Sequence, residues 1–523
     1  MSAIQVHRRL VAGLARWFAW QQPESEGVKV IETHISTVLL AGCYAYKIKK
    51  PVDLGFLDFS TLDRRRFCCL EELRLNSRLA ADLYLDVVAI TGNPDQPEIG
   101  GIGTVIEYAL KMRRFPDGAL LSQQPERLDE ALADRLAREI ADFHAAIATP
   151  GIVPFYGAPE QVLQPMLQNF TQIRSLSGTA YDAVLAPLQQ WTLATYRQLE
   201  PRISERRREG YVRECHGDLH LGNIALDGDR PILFDGIEFN PELRWIDTIS
   251  ELAFLLMDIE EKRRSPLGWR LLNSYLEISG DYRGLELLRF YQLYRAMVRA
   301  KVEAIRLHQT GVTAAEREQL QAEFFTYLEN ARSYTGEGRA ALLITHGFSG
   351  SGKSTLSERL SMELPAVRIR SDVERKRLAG LAADADSFSA PAAGIYTPEF
   401  SARTYQQLLM LAQVVLKAGY GVIVDAAFLK CRERDPFTML ALELGLPFLI
   451  LDFQVSDEVL RNRVRARRLH GSDPSEADEK VLAHQFRSAE RLTASERKRS
   501  VAVNGQELQL SALAKQIQAY CGG

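Results

Sequence analysis

None of the chain's six cysteines (Cys43, Cys68, Cys69, Cys215, Cys431 and Cys521) belongs to a C-x-x-C pair, and six is few for 523 residues. That argues against a disulfide framework and fits free thiols in a reducing compartment. The adjacent Cys68 and Cys69 read as helix-packing residues. Long apolar runs are missing too: no window offers the ~20 apolar residues of a membrane span. The segment Met1 to Trp20 is amphipathic, and Arg8, Arg9 and Arg16 break it up too much for a signal-peptide core. Charge of one sign is also lacking. With 64 Lys+Arg against 67 Asp+Glu, the net charge of −3 gives no support for a nucleic-acid partner. No internal repeat or low-complexity tract is present. These absences lead to the expectation of a cytoplasmic protein with neither a membrane nor a nucleic acid as partner; they leave its oligomeric state open. What is present, 46% hydrophobic and 25% charged residues, is the composition of an ordinary globular protein. The length is too great for one core; at about 100–200 residues per domain it predicts three or so units.

The most informative segment is Gly347-Phe348-Ser349-Gly350-Ser351-Gly352-Lys353-Ser354, a complete G-x-x-x-x-G-K-[ST] pattern. The apolar run Ala341-Leu342-Leu343-Ile344 precedes it as a strand, and a helical pattern beginning at Thr355 follows. Strand, glycine-rich turn and helix together are the context of a phosphate-binding loop. Gly347, Gly350 and Gly352 let backbone N–H groups turn toward a phosphate. The helix start, with Ser354 and Thr355, adds partial positive charge. Lys353 is placed to reach the β- and γ-phosphates of a nucleoside triphosphate, and Ser354 to hold Mg²⁺.

The clearest boundary lies at Tyr334-Thr335-Gly336-Glu337-Gly338-Arg339, a short polar linker between periodic segments. It divides the chain into 1–335 and 336–523. The first hundred residues read as strands and turns around one helix. Val38-Leu39-Leu40 and Tyr44 to Ile48 pair as strands, Arg64 to Ala80 is helical, and Gly103 to Phe115 is strand and crossover. Helices follow at 128–148, 188–200, 269–278, 285–308 and 314–332. A strand-rich small half before a helix-rich large half predicts two lobes with a cleft between them.

A second constellation sits at His216-Gly217-Asp218-Leu219-His220-Leu221-Gly222-Asn223, followed by the apolar strand Ile232-Leu233-Phe234 ending in Asp235. An Asp, an Asn five positions on and a strand-end Asp suit phosphoryl transfer. Asp218 orients and deprotonates an acceptor hydroxyl, while Asn223 and Asp235 hold Mg²⁺ against the triphosphate. This segment resembles the aminoglycoside phosphotransferase family, a branch of the protein-kinase-like fold. The resemblance implies that Lys47, in Tyr44-Ala45-Tyr46-Lys47, contacts the α/β-phosphates and pairs with Glu72 on the next helix. Glu71 is the rival, because helical phase alone does not decide between them. It also implies that Asp247 braces the catalytic loop. The family's glycine-rich flap has only Thr33-His34-Ile35-Ser36-Thr37 in its place, which puts the nucleotide lid in doubt.

Beyond the phosphate loop, Val367-Arg368-Ile369-Arg370-Ser371-Asp372 and Val422-Ile423-Val424-Asp425 are strands ending in Asp. Asp425 suits Mg²⁺ held through water, and Asp372 an acceptor hydroxyl. Arg461, Arg463, Arg465, Arg467 and Arg468 crowd a helical run before Asp473-Pro474-Ser475-Glu476-Ala477. An arginine there, with Arg465 as the candidate, can neutralise triphosphate charge. This half resembles the small P-loop kinases of the gluconate kinase, adenylylsulfate kinase and zeta-toxin type. The order of the halves resembles bifunctional proteins that join an aminoglycoside phosphotransferase-like domain to an ATP-binding domain.

The expected architecture is therefore an α+β two-lobed protein-kinase-like domain followed by an α/β P-loop domain with a parallel sheet. The expected activity is ATP- and Mg²⁺-dependent phosphotransfer to a hydroxyl of a small molecule, with two kinase activities in one chain as one form of it. The rivals are a P-loop ATPase coupled to a kinase-like domain and a nucleotide-sensing regulator with one inert half. An antibiotic substrate does not follow from the resemblance. Asp258, Glu260 and Glu261 are acidic as a polycation would need, but Lys262, Arg263 and Arg264 follow at once.

Overall fold

In the computed structural model, the β-branched and aromatic segments of the N-terminal region form one antiparallel sheet. Its strands are β1 (Lys29–Glu32), β2 (Ser36–Ala41), β3 (Tyr44–Lys49), β4 (Tyr84–Asn93), β5 (Gln96–Ile99) and β6 (Val105–Arg113), in the spatial order β1-β2-β3-β6-β4-β5. The predicted pair is the β2–β3 hairpin, closed by Gly42 and Cys43 between Ala41 and its partner Tyr44. The amphipathic N-terminal segment is the helix Ala3–Gln21. It lays Leu10, Val11, Leu14 and Phe18 against Leu39, Tyr46 and Ile48 of the sheet. The predicted helix after β3 spans Leu62–Ala80 and starts where the Thr61 side chain accepts the N–H of Arg64. Further along, β7 (Val212–Glu214) pairs with β10 (Trp245–Asp247), and β8 (Ile224–Asp227) with β9 (Arg230–Leu233), both antiparallel. These two ribbons hold the loop that carries His216 to Asn223.

The C-terminal sheet is all parallel. Its strands β11 (Leu342–His346), β12 (Ala366–Arg370), β13 (Gly421–Asp425), β14 (Phe448–Gln454) and β15 (Ser500–Asn504) lie in the order β12-β13-β11-β14-β15. Continuous apolar runs such as Leu342-Leu343-Ile344 and Val422-Ile423-Val424 are buried, as a sheet covered on both faces requires. The fold class is the expected one: an α+β kinase-like part, then an α/β part with a parallel sheet.

The structure describes residues 2–21, 27–55, 57–149, 155–309, 312–336, 338, 340–383, 385, 387, 394–470, 479–504 and 510–522. The stretch Asp473-Pro474-Ser475-Glu476-Ala477 and the side chains of Arg467 and Arg468 lie outside it, as do Glu337 and Arg339 of the linker.

By contacts the chain forms two units. One comprises 1–128, 143–258 and 294–328; the other 129–142, 259–293 and 329–523. These units and the sequence-order boundary at 335/336 do not coincide. The reason lies in packing: the helix Ser265–Ser279 packs on the helix that follows the phosphate loop and on β12. A composition shift marks where the chain turns polar, and carries no record of which helix packs on which sheet.

Candidate functional site

In the first unit the strand period fixes the site. Lys47 and Lys49 alternate with the apolar Tyr46 and Ile48 along β3, so both ammonium groups leave one face. Lys47 Nζ lies 2.7 Å from Glu72 Oε1 and 2.5 Å from Asp235 Oδ1. Lys49 pairs with Glu72 Oε2 and with Glu238. Lys47, Lys49, Glu72 and Glu238 are all buried. Charges taken this far out of water persist only when paired on both sides. Burial pulls the Lys47 ammonium down, but Asp235 and Glu72 push it well above its ordinary value.

Glu72, and not Glu71, faces Lys47. Glu71 turns to Arg74 at 2.9 Å on the other side of the helix. Lys49 and Glu238 escaped the sequence reading, although the i, i+2 spacing of the two lysines on one strand was a signal for the first. Asp235 sits at φ +64°, unusual for a residue with a side chain. Its N–H donates to the Tyr84 hydroxyl at 2.9 Å, and the next N–H, of Gly236, donates to Asn76 Oδ1 at 2.7 Å.

Asp218 and Asn223 are brought together. Asn223 Nδ2 donates to Asp218 Oδ2 at 3.1 Å and to the Asp218 carbonyl at 2.9 Å. The His220 ring has its Nε2 3.5 Å from Asp218 Oδ2, while its Nδ1 accepts the Gly222 N–H at 3.0 Å. Burial pushes the Asp218 carboxyl up, but His220, His216 and Arg295 pull it below the usual carboxylate range. Asp235 is held low in the same way, burial being outweighed by Lys47. Both carboxylates therefore stay ionised. They also keep 37% and 42% of their side-chain surface open, in contrast to the buried groups that hold them.

The loop is braced by residues that sequence reasoning did not single out. Glu251 Oε2 accepts the Gly217 N–H at 2.7 Å, Arg295 donates to the Gly217 carbonyl at 3.2 Å, and Asp258 Oδ2 accepts the Leu221 N–H at 2.9 Å. Asp247, expected in that role, instead holds the buried Arg206 at 2.7 Å and caps Ile249. Asp258 is thus a buried loop anchor. In the second unit Glu260 accepts from the Tyr334 hydroxyl at 2.6 Å and Glu261 pairs with Lys262 at 2.8 Å. The three acids are each committed to a neighbour.

In the second unit the phosphate loop follows β11, the central strand, where the chain next crosses to β12 on one side and later to β14 on the other. Ligands of open α/β sheets bind at such switch points, beyond the carboxyl ends of the strands. Gly350 and Gly352 have φ of +83° and +91°. A Cβ on Gly350 would come within 3.0 Å of Val464 and 3.1 Å of the Leu460 carbonyl. Lys353 opens the helix Lys353–Glu363, with Ser354 and Thr355 in its first turn. Its ammonium donates to the Phe348 carbonyl at 2.7 Å, and the Ser349 N–H donates to Gln485 Oε1 at 2.9 Å. Gly347 begins the loop, its N–H bonded to the Ala427 carbonyl at 3.1 Å.

β13 ends at the buried Asp425, whose Oδ2 accepts from the Ser357 hydroxyl at 3.1 Å. In register with it on β12 is Arg370, and Asp372 lies two residues further, in the first turn of the helix Ser371–Leu378. The parallel register thus sets Asp372, Asp425 and the loop at one end of the sheet. Arg465 is not brought to the loop; it is mostly exposed and pairs with Glu479. Arg463 lies nearer, its Nη1 3.5 Å from the Gly350 carbonyl. Main-chain donors turned by glycines, a lysine and a helix start fit a nucleotide's phosphates. Ser354 and Asp425 here, and Asn223 and Asp235 in the first unit, are oxygen donors that fit Mg²⁺.

Comparison with known proteins gives the class. Residues 69–291 match the model described as Phosphotransferase enzyme family, and residues 342–492 match one described as AAA domain. The protein is an enzyme, a phosphotransferase in which a kinase-like domain precedes a P-loop kinase domain. Uncharacterized proteins of Mycobacterium bovis and Mycobacterium tuberculosis are 30% identical to it over 449 residues, covering 85% of this chain and 87% of theirs. The chain belongs to the family of these proteins. Among solved structures it is similar to a choline/ethanolamine kinase family protein from Mesorhizobium loti, at 12% identity and TM-score 0.36, covering 62% of this chain and 99% of that one. It is also similar to a gluconokinase from Sinorhizobium meliloti, at 19% identity and TM-score 0.26, covering 35% and 93%. Among the described residues no helix is long and apolar enough to cross a membrane.

Proposed function

We propose that the chain carries two ATP- and Mg²⁺-dependent phosphotransfer sites, each acting on a hydroxyl of a small molecule, in the cytoplasm. The observation that supports this reading is that the two proposed residue sets fall in different units, Lys47, Glu72, Asp218, Asn223 and Asp235 in one and Lys353, Ser354, Asp372 and Asp425 in the other. In the first, Lys47, held by Glu72, meets the α/β-phosphates, and Asn223 and Asp235 hold the metal. Asp218 stays ionised beside His220, orients the acceptor hydroxyl and accepts its proton. In the second, the N–H groups of the loop with Lys353 and Thr355 bind the β/γ-phosphates. Ser354 and Asp425 hold the metal, Asp372 faces the acceptor, and an arginine of the 461–465 run neutralises charge. Mg²⁺ held by these residues would neutralise charge developing on the transferred phosphoryl group.

A screen of ATP consumption against sugars, nucleosides and aminoglycosides tests the reading with the full chain, Asp218→Asn, Lys353→Ala and the double variant. Two sites predict that each single variant loses transfer to one acceptor and the double variant loses both. Acceptor-independent ATP hydrolysis abolished by Lys353→Ala would instead identify the second half as an ATPase. Binding of ATP without transfer to any acceptor would identify a sensor.

A further inference from the structure

The helix Ser265–Ser279 falls within the stretch matched by the phosphotransferase model, 69–291, yet by contacts it belongs to the unit that contains the phosphate loop. Its side chains reach that loop's surroundings in two ways. Asn273 serves the sheet: its Oδ1 accepts the Arg368 N–H at 2.7 Å and its Nδ2 donates to the Ala366 carbonyl at 3.0 Å, so one buried amide pairs with the outer edge of β12. Glu277, one turn on, serves the site. Its Oε1 accepts from Arg368 Nε at 2.9 Å and lies 2.8 Å from Arg368 Nη2, so one oxygen faces two guanidinium nitrogens. The third nitrogen of that guanidinium, Nη1, donates to the Ser354 carbonyl at 3.1 Å. The other carboxylate oxygen, Oε2, lies 3.7 Å from Arg370 Nη1, and Arg370 Nε is 4.0 Å from Asp425 Oδ2.

We infer that Glu277 is a positioning residue of the P-loop site, fixing Arg368 against the first turn of the phosphate-binding helix and Arg370 beside Asp425. Arg368 and Arg370 lie two apart on one strand and leave the same face. Between them they touch the backbone of Ser354 and approach the carboxylate of Asp425, the two residues proposed to hold the metal. Glu277 is the carboxylate that faces both guanidiniums, while Arg368 Nη2 also lies 3.5 Å from Glu358 Oε1 and Arg370 reaches Asp425 from its other side. Its loss removes the carboxylate they share, so that Arg368 can shift against the Ser354 backbone and Arg370 against Asp425. The second activity therefore depends on a residue that precedes the linker by some sixty positions. This inference rests on the reading of the P-loop half as a phosphotransfer site.

The test uses the full chain carrying Asp218→Asn, so that only the second site turns over ATP. Glu277→Gln is expected to lower kcat on the order of 10- to 100-fold, because sub-ångström placement governs such steps. KM for Mg·ATP should move much less, and Glu277→Asp should restore part of the rate. Asn273→Ala is the structural control. It should lower the thermal midpoint by a few degrees while leaving kcat near that of the parent. Wild-type kcat in Glu277→Gln would overturn the inference. So would equal losses of kcat in Glu277→Gln and Asn273→Ala tracking their losses of stability. Lys353→Ala in the same background separates the two levels: if it leaves turnover unchanged, the P-loop reading itself fails and takes this inference with it.

Discussion

The two candidate sites solve one chemical problem with opposite materials. In the first unit the proposed set consists of side chains gathered from segments far apart, Lys47, Asp218 and Asp235, each held by other ionised groups. In the second the proposed set is largely main chain, a loop bent at Gly350 and Gly352, with one lysine added. A site built from side chains is exposed to single substitutions, because removing one ion leaves its partners buried and unpaired. A site built from main chain loses one donor among several. The comparison therefore predicts a steeper response to substitution in the first unit, and four measurements can sharpen or break it.

The largest effect is expected from Asp218→Asn. Acceptor phosphorylation by the first site should fall on the order of 10²–10⁴-fold while ATP affinity stays near wild type. Retention of full transfer would remove Asp218 from the reaction. Next is Glu72→Gln, which leaves Lys47 and Lys49 with half their counter-charge in a buried setting. A broken buried pair costs about 3–5 kcal/mol, to be read from urea unfolding followed by a probe in the first unit. A change under about 1 kcal/mol would mean that the network relaxes into solvent.

A third measurement concerns pH. His7 is buried, bonded through Nε2 to Thr37 Oγ1 at 2.9 Å, and its Nδ1 has no partner. Burial pulls it from 6.5 to about 4. The folded form thus resists a proton that the unfolded chain accepts. Its stabilising contribution is whole above pH 6.5 and is lost as pH falls toward 4, by about 3 kcal/mol at most. His7→Leu should flatten that part of the stability profile, and an unchanged slope would assign it to other groups. The smallest effect is expected from Lys353→Ala, with ATP binding at the second site weakened about 10- to 100-fold, since the loop's N–H groups remain. Complete loss of binding by calorimetry would break the comparison outright.

How much could be read in advance follows the same divide. The phosphate loop is contiguous, so its residues, strand and helix were legible as one string. Asp425 followed because an apolar run ending in Asp marks the carboxyl end of a parallel strand; Asp372, expected at the end of such a strand, lies instead two residues past β12 in the first turn of the next helix, because β12 already ends at Arg370. Asp218, Asn223 and Asp235 were legible as a spacing. Glu72 against Glu71 was not, because both sit on one turn and only tertiary packing selects the face. Lys49, Glu238 and Glu251 stayed hidden because a buried charge looks like a surface charge until its partner, up to 189 residues away for Lys49 and Glu238, is known. The arginine run did not say which member meets the loop, and the helix turns Arg463 toward it while Arg465 pairs with Glu479.

The amide of Asn273 on the rim of β12 carries a consequence for the gene as well as the enzyme. A parallel sheet with a bare outer strand invites another chain to add to it. A product beginning after the linker would lack the side chain that occupies that rim. It should self-associate even if its nucleotide loop formed correctly, visible as concentration-dependent light scattering that the full-length protein does not show. On this account the P-loop half cannot be separated from the helix Ser265–Ser279 by moving the downstream reading frame alone. Recombination at the polar linker would deliver an aggregating fragment, which gives selection a physical reason to inherit the halves together.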